Sequence, residues 1–241
     1  MRIITNLLGA ALAAIVALPV SAHDITAKRE PKVPGAFDVI GAKATTDGRL
    51  ATFTMEVSGK AGTVKPKQVG KLEGAMVDAY VWTTKLDPSA AGFDKASGIL
   101  ALAITSHPDF DDTPLFDENG DGDPNNDGAD WHSHWVVLVE DKACKGGLKV
   151  RDISPGQDLL PATAPGLPIA LDSPGMSPII RGATVRITVP VQGAENVSFD
   201  AVAAKLQVHE QGQSPLLCVT GTYKVASGNL SFPGVIMRKD K

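Results

Sequence analysis

The sequence predicts an all-β protein, and three features of the chain support this assignment. Its 241 residues include 24 glycines and 17 prolines, which favours many turns between short strands. Hydrophobic residues make up 43% of the chain, enough for a core, whereas aromatic residues make up only 5%, so that core is mainly aliphatic. The chain also lacks heptads, internal repeats and a long amphipathic helical pattern. Together these features predict a single β-sandwich with long loops.

Alternation of apolar and polar residues identifies the strands. Residues 50–57 place Ala51, Phe53, Met55 and Val57 on one face, as in a half-buried strand. The other predicted strands are residues 76–84, 99–105, 131–140, 148–153, 184–191, 197–199, 205–210 and 216–226. Residues 201–205 also fit a helical turn, but Val208 and the short length of the segment favour β. Many short strands at this spacing indicate an immunoglobulin-like or jelly-roll-like sandwich.

Two segments, one before the predicted strands and one between them, do not show a strand pattern. Residues 23–34 are charged and contain proline, which predicts an extended arm. Residues 154–178 contain many prolines and glycines, which predicts a long surface connection. That connection is also compatible with a linker between two domains. Because no self-sufficient apolar set follows it, residues 23–241 are interpreted as one domain.

The first 22 residues read as a secretory signal peptide. Arg2 provides the positive charge, residues 7–20 are apolar, and Val20, Ser21 and Ala22 form a small-residue cleavage site. The alternative, a membrane anchor, requires about 20 apolar residues. No later segment is long and apolar enough to span a bilayer. We therefore expect a periplasmic or secreted protein that begins at His23 after cleavage.

The mature chain contains two cysteines, Cys144 and Cys218. An even number of cysteines in an oxidising compartment predicts a structural disulfide. The alternatives are a pair of thiol ligands or a redox pair. The absence of a C-x-x-C spacing favours the disulfide.

Negative charge is concentrated in one part of the chain. The formal net charge is −4, and no lysine or arginine lies between Lys95 and Lys142. That interval contains eleven acidic residues. Such a concentration favours cations as partners and argues against nucleic acid.

The acidic interval contains a calcium-like loop between residues 117 and 130. Asp117, Asn119, Asp121 and Gly122 match positions 1, 3, 5 and 6 of an EF-hand loop, whereas Gly128 replaces the bidentate glutamate. The segment resembles the calcium loops of dockerin and thrombospondin repeats. This resemblance implies a Ca²⁺ ion held by Asp117, Asn119, Asp121, Asp123 and Asp127. The alternative is a solvated polar loop, because turns use the same residue types.

A histidine pair follows the acidic loop directly. On a strand, His132 and His134 share one face, so both imidazoles can bind one copper, zinc or iron ion. Candidates for further ligands are His107, His209, Asp130 and His23. His23, as the mature N-terminus, resembles the N-terminal histidine of copper-binding periplasmic proteins and polysaccharide monooxygenases. The alternative is that the pair packs beside tryptophans without binding metal.

These patterns predict an exported metal-binding protein that has a calcium loop and a His-x-His site. An extracellular metal-dependent enzyme is the second hypothesis, with Asp130, Glu140 or Glu210 as the base. The third is a calcium-stabilised adhesion or matrix module in which the histidines play no part. The sequence names no substrate.

Overall fold

The structure is a computed structural model, and it describes residues 23–108, 122–123, 127–154, 156, 158–209 and 215–239. The predicted signal peptide, residues 1–22, lies outside this part of the chain. Two short 3₁₀ helices, Pro88–Ala91 and Asp127–Ala129, accompany the strands. The strands are β1 (Ile25–Thr26), β2 (Val39–Thr46), β3 (Leu50–Val57), β4 (Met76–Thr84), β5 (Ile99–Ser106), β6 (His132–Glu140), β7 (Leu148–Val150), β8 (Leu171–Asp172), β9 (Ile179–Arg181), β10 (Thr184–Pro190), β11 (Ser198–Val208), β12 (Leu217–Val225), β13 (Gly234–Val235) and β14 (Met237–Arg238).

The strands form two sheets packed against each other. The six-stranded sheet has the order β1-β2-β3-β10-β9, and β14 pairs with β2 in parallel. The eight-stranded sheet has the order β12-β7-β6-β5-β4-β11-β13, with β8 paired to β6. Strand β12 also pairs with β11, so six strands of this second sheet close into a barrel-like ring. The all-β prediction is confirmed, and one of the two layers is a ring rather than an open sheet.

Both faces of the ring strands β4, β5, β6 and β11 are largely buried. The inward-facing set is aliphatic and includes Val77, Ala103, Val136, Leu138 and Ala204. The outward-facing residues of the same strands pack against the six-stranded sheet. Strands buried on both faces lose the clean alternation of polar and apolar residues that a half-exposed strand shows.

The core between the two sheets contains the large aromatic side chains. Phe53 and Met55 of β3 meet Trp82 of β4 and Trp135 of β6 in this core, and all four are buried. Trp131 packs at its edge, where its indole N–H donates to the carbonyl of Gly62 at 3.1 Å. Strand β10 of the six-stranded sheet alternates between buried residues, which face this core, and exposed residues on the outer face of the sheet. The tryptophans therefore serve mainly to hold the two layers together.

Two of the predicted segments differ from the structure. Residues 154–178 are not wholly a surface connection, because Ile169, Ala170 and Leu171 are buried and β8 pairs with β6. Residues 198–199 and 205–208 are not parts of separate strands, and residues 201–205 are not a helical turn. They belong to the single eleven-residue strand β11, whose pairing with β4 runs without interruption from Phe199 to Gln207. In each case long-range pairing outweighed the local pattern.

A buried ion pair connects the two sheets. Lys224 of β12 donates to the Asp38 carboxylate at 3.0 Å, and the two side chains are 4% and 0% exposed. Glu30 and the carbonyl of Lys28 also accept from the Lys224 ammonium. Burial by itself would raise the pKa of Asp38, but hydrogen bonds that include those from Lys224 and the Glu30 backbone lower it below its usual value.

The cysteines form the predicted disulfide. Cys144 and Cys218 are bonded across a separation of 74 residues. Cys218 lies opposite Lys149 of β7, in the only register pair recorded between β7 and β12 within the described residues. The disulfide therefore reinforces the ring where its backbone pairing is sparsest.

We expect the Cys144→Ala, Cys218→Ala double variant to lose about 4 kcal/mol of unfolding free energy, because the disulfide restricts a loop of this length in the unfolded chain. Urea unfolding followed by tryptophan fluorescence measures this loss. Reduction of the wild-type protein is the control and should give a similar loss. A loss below about 1 kcal/mol would show that β7 and β12 are held by other contacts.

Replacement of Lys224 by methionine should destabilise the fold by about 3–5 kcal/mol, because it leaves Asp38 charged and buried without its partner. The matched control is Arg238→Met, which removes an exposed pair with Glu195 and should cost at most about 1 kcal/mol. Denaturant unfolding at neutral pH compares the two variants. Equal losses would contradict the role given to the Lys224–Asp38 pair.

The same pair predicts a dependence on pH. A carboxylate whose folded pKa is lowered stabilises the fold above its unfolded pKa of about 3.9, and this contribution is lost as the pH falls through the folded pKa. The difference in stability between wild type and Lys224→Met should therefore shrink below about pH 4.

Candidate metal centre

Neighbouring strands of the ring bring three histidines together. His132 and His134 lie on β6, where Thr105 of β5 pairs with His132 and Ala103 pairs with His134. His107 follows the last residue of β5, and its backbone N–H donates to the carbonyl of Gly128 at 2.7 Å. The pleat of β6 turns His132 and His134 to the same side as Val136 and Leu138, which face the ring interior.

The three imidazoles are close enough to ligate one ion. One ring nitrogen from each of His107, His132 and His134 lies within 4.8 Å of the others, and each residue is 2% exposed. The Nε2 atoms of His107 and His132 are 2.6 Å apart. The ring centroids of His132 and His134 are 4.7 Å apart, with the planes nearly perpendicular.

Backbone carbonyls orient two of the rings. Nδ1 of His132 lies 2.9 Å from the carbonyl oxygen of Asp130. Nδ1 of His134 lies 3.3 Å from the carbonyl oxygen of Asp172 and 3.1 Å from the hydroxyl of Ser173. A carbonyl can only accept, so Nδ1 of His132 carries the hydrogen, and in the neutral ring its Nε2 presents a lone pair. The same tautomer of His134 would satisfy the carbonyl of Asp172. Metal-binding histidines are commonly oriented in this way.

The short distance between His107 and His132 requires a proton or a metal ion between the two rings. Two imidazole nitrogens only 2.6 Å apart cannot both present lone pairs to each other, so a proton or a metal ion must lie between them. Zinc–nitrogen bonds of about 2.0–2.1 Å in tetrahedral geometry place two ligand nitrogens about 3.3 Å apart. Separation of the two rings by about 0.7 Å is therefore sufficient to admit an ion.

The ring interior beside the histidines contains a cavity of about 410 Å³. His107 and His134 form part of its wall, and aliphatic side chains form most of the remainder. Thr105 also faces it, and its hydroxyl lies 3.3 Å from Nε2 of His132. A metal ion held by three imidazoles would therefore have a coordination position directed toward an apolar space.

Carboxyl groups near the centre are occupied by other partners. The Asp130 carboxylate pairs with Lys65 at 3.4 Å, so the contribution of Asp130 to the centre is its backbone carbonyl. The Asp172 carboxyl accepts from the hydroxyl of Thr163 at 2.6 Å, and burial raises its pKa. Glu140 lies at the other end of β6, eight residues or about 26 Å from His132.

The other two predicted histidines lie away from the cluster. His209 follows β11, donates its backbone N–H to the carbonyl of Leu216 at 2.7 Å, and lines a separate pocket with Lys71 and Glu73. The carbonyl of His23 accepts from Val235, which pairs with Ser198 at the start of β11. Ser106 lies at the level of Lys205 on that strand, so His107 lies at the level of Leu206, eight residues and about 26 Å from Ser198.

Most of the predicted calcium loop lies outside the described residues. Asp117, Asn119 and Asp121 are among the loop residues outside the described part. Glu210, the third candidate base, also lies outside it. Of the remaining predicted ligands, Asp123 is exposed, and Asp127 begins the short 3₁₀ helix that leads to Asp130. The calcium site therefore stays a prediction.

Sequence reasoning missed the residues that orient His134. Asp172 and Ser173 lie in the segment interpreted as a surface connection, but β8 places them beside β6. The available signal was the short apolar run from Ile169 to Leu171 within a region rich in proline and glycine. The cavity had no sequence signal, because it depends on closure of the ring.

Comparison with protein-family models, curated proteins and solved structures gave no match for this chain. Within the described residues, no helix is long and apolar enough to cross a membrane.

Proposed function

We propose that this chain is an exported metal-binding protein that holds one transition metal ion on His107, His132 and His134. The observation that carries the proposal is the meeting of three buried imidazoles, with one ring nitrogen from each lying within 4.8 Å of the others. A shared cation would bind one ring nitrogen of each histidine, in addition to the hydrogen bonds that orient His132 and His134.

The ligand chemistry favours zinc, copper or iron. Imidazole nitrogen suits these ions, whereas calcium and magnesium prefer oxygen ligands. Three neutral imidazoles with an open fourth position are the arrangement of catalytic zinc sites. The carbonyls of Asp130 and Asp172 support this assignment, because they hold the lone pairs of His132 and His134 in place.

Export is proposed on two grounds. The first 22 residues have the charge, the apolar run and the small-residue cleavage site of a signal peptide. The disulfide between Cys144 and Cys218 is compatible with an oxidising compartment such as the periplasm or the extracellular space. We propose calcium as a second ion, on the acidic segment from residue 117 to residue 130, on sequence grounds alone.

Loss of any one histidine of the cluster should abolish tight metal binding. His132→Ala and His107→Ala are each expected to weaken Zn²⁺ and Co²⁺ binding by at least about 100-fold, since second-shell changes alone cost about 10–100-fold. Competition with a chromophoric chelator gives the affinities, and the visible spectrum of bound Co²⁺ reports the coordination geometry.

His209→Ala is the matched control, because it removes an imidazole that lies outside the cluster. It should retain wild-type affinity and the wild-type Co²⁺ spectrum. Equal weakening in His209→Ala and His132→Ala, or wild-type affinity in His132→Ala, would overturn the proposed ligand set.

Metal-dependent catalysis is a second candidate function, favoured by the cavity that His107 and His134 line. Zinc lowers the pKa of a bound water toward neutrality and so generates a nucleophile. The chain would contribute orientation of the ion and exclusion of bulk water. The hydroxyl of Thr105 lines the cavity 3.3 Å from Nε2 of His132 and is a candidate for an additional polar contact.

The catalytic candidate predicts that the zinc-loaded protein hydrolyses p-nitrophenyl acetate at a rate proportional to zinc occupancy. His132→Ala should fall to the rate in buffer alone, and His209→Ala should retain the activity. A rate independent of zinc occupancy, or equal in the two variants, would leave metal binding as the function without catalysis.

A further inference from the structure

The interior of the ring is lined mainly by valine, leucine and isoleucine, with alanines at three neighbouring positions. Ala79, Ala103 and Ala204, on three adjacent strands, face a cavity of about 410 Å³. Protein interiors are otherwise close-packed, with few voids larger than a water molecule. Ligand pockets have volumes of about 300–1,000 Å³. The volume and the alanine positions indicate a space kept open for a molecule.

The chemistry of the wall restricts what that molecule can be. Among the described residues that line the cavity there is no aspartate, glutamate, lysine or arginine. Hydroxyl groups come from Thr83, Thr105 and Thr222, and imidazoles come from His107 and His134. The wall therefore fits an aliphatic body, and its strongest polar recognition is at the histidine end.

The cavity extends along β6. It contacts both His134 and Leu138 on β6, which are four residues or about 13 Å apart. Leu230 also lines the cavity, and its backbone has a φ of 57°, a conformation that leucine rarely adopts. Residues held in such conformations are often found at ligand clamps.

Buried Asp200 holds the segment that carries Leu230. Its carboxylate accepts from the hydroxyl of Ser227 at 2.5 Å and from the backbone N–H of Phe232 at 3.2 Å. These bonds bracket Leu230 on both sides in sequence. The hydrogen bonds to Asp200 therefore hold Leu230 in position against the cavity.

We propose that the cavity binds a medium-chain aliphatic carboxylate, with its tail in the ring and its carboxylate on the metal ion. The head-group assignment rests on the metal site proposed above. A divalent ion on three neutral imidazoles retains its full positive charge beside a low-dielectric space, where attraction for an anion is strong. No other charged side chain among the described residues of the wall competes for that anion.

The experiment measures binding of decanoate and decanol to the full mature protein, loaded with zinc or treated with chelator, by displacement of a fluorescent fatty-acid probe. Decanoate should bind the zinc-loaded protein at least about tenfold more tightly than it binds the metal-free protein, because one charge-assisted contact exceeds about 1.4 kcal/mol. Decanol should show a much smaller difference between the two forms.

Ala204→Leu tests the cavity itself, because the added side chain occupies the ring interior opposite the histidines. It should weaken decanoate binding by at least about tenfold and leave zinc affinity unchanged. Unchanged zinc affinity also shows that the variant is folded. Arg186→Leu, on the exposed face of the six-stranded sheet, is the matched control and should bind decanoate as the wild type does.

The outcomes separate this inference from the metal proposal. Zinc binding without decanoate binding would overturn the inference and leave the metal site intact. Decanoate affinity that is the same with and without zinc would overturn the head-group assignment. Decanoate affinity that is unaffected by Ala204→Leu would place the ligand outside the ring and also overturn the proposal.

Discussion

The two-sided burial of β6 is the constraint on which the rest of the structure depends. Successive residues of a strand point to opposite faces. On β6 this sends Trp135 and Val137 into the core between the sheets, and sends His132, His134, Val136 and Leu138 into the ring. A register shift of one residue would turn every side chain of β6 to the opposite face and place the imidazoles in the aromatic core. The packing of Trp135 against the six-stranded sheet therefore also fixes the direction of the histidines.

Two backbone carbonyls make a polar cluster tolerable inside this apolar ring. Burial of a polar group is costly unless it has a hydrogen-bond partner. The carbonyls of Asp130 and Asp172 lie beside Nδ1 of His132 and His134, so an ion shared by the three rings would bind these two through Nε2. Since one carbonyl comes from β8, the segment before β9 contributes to the centre as well as to the fold. Main-chain carbonyls therefore orient two of the three side chains of the candidate metal centre.

Closure of the ring explains both the cavity and the reinforcement around it. Strands β11 and β12 pair with two register shifts, and β12 meets β7 through little backbone pairing. The disulfide at Cys218 and the ion pair at Lys224 both lie on β12, one beside β7 and the other toward the six-stranded sheet. A covalent and an ionic link therefore hold in place the strand whose ladder is least regular. Small residues on the inner face then leave an open volume instead of a filled core.

The sequence by itself determined the all-β class, most strand positions, the disulfide and the shared face of His132 and His134. These depend on local periodicity, residue chemistry and cysteine count, all of which can be read along the chain. Only the tertiary structure decided that His107 joins the pair and that His209 and His23 lie elsewhere, because strand order and register set those distances. It also decided that residues 198–208 form one strand, that β8 is buried and that the ring encloses a cavity. Each of these depends on hydrogen bonds between residues far apart in the chain, which no local pattern encodes.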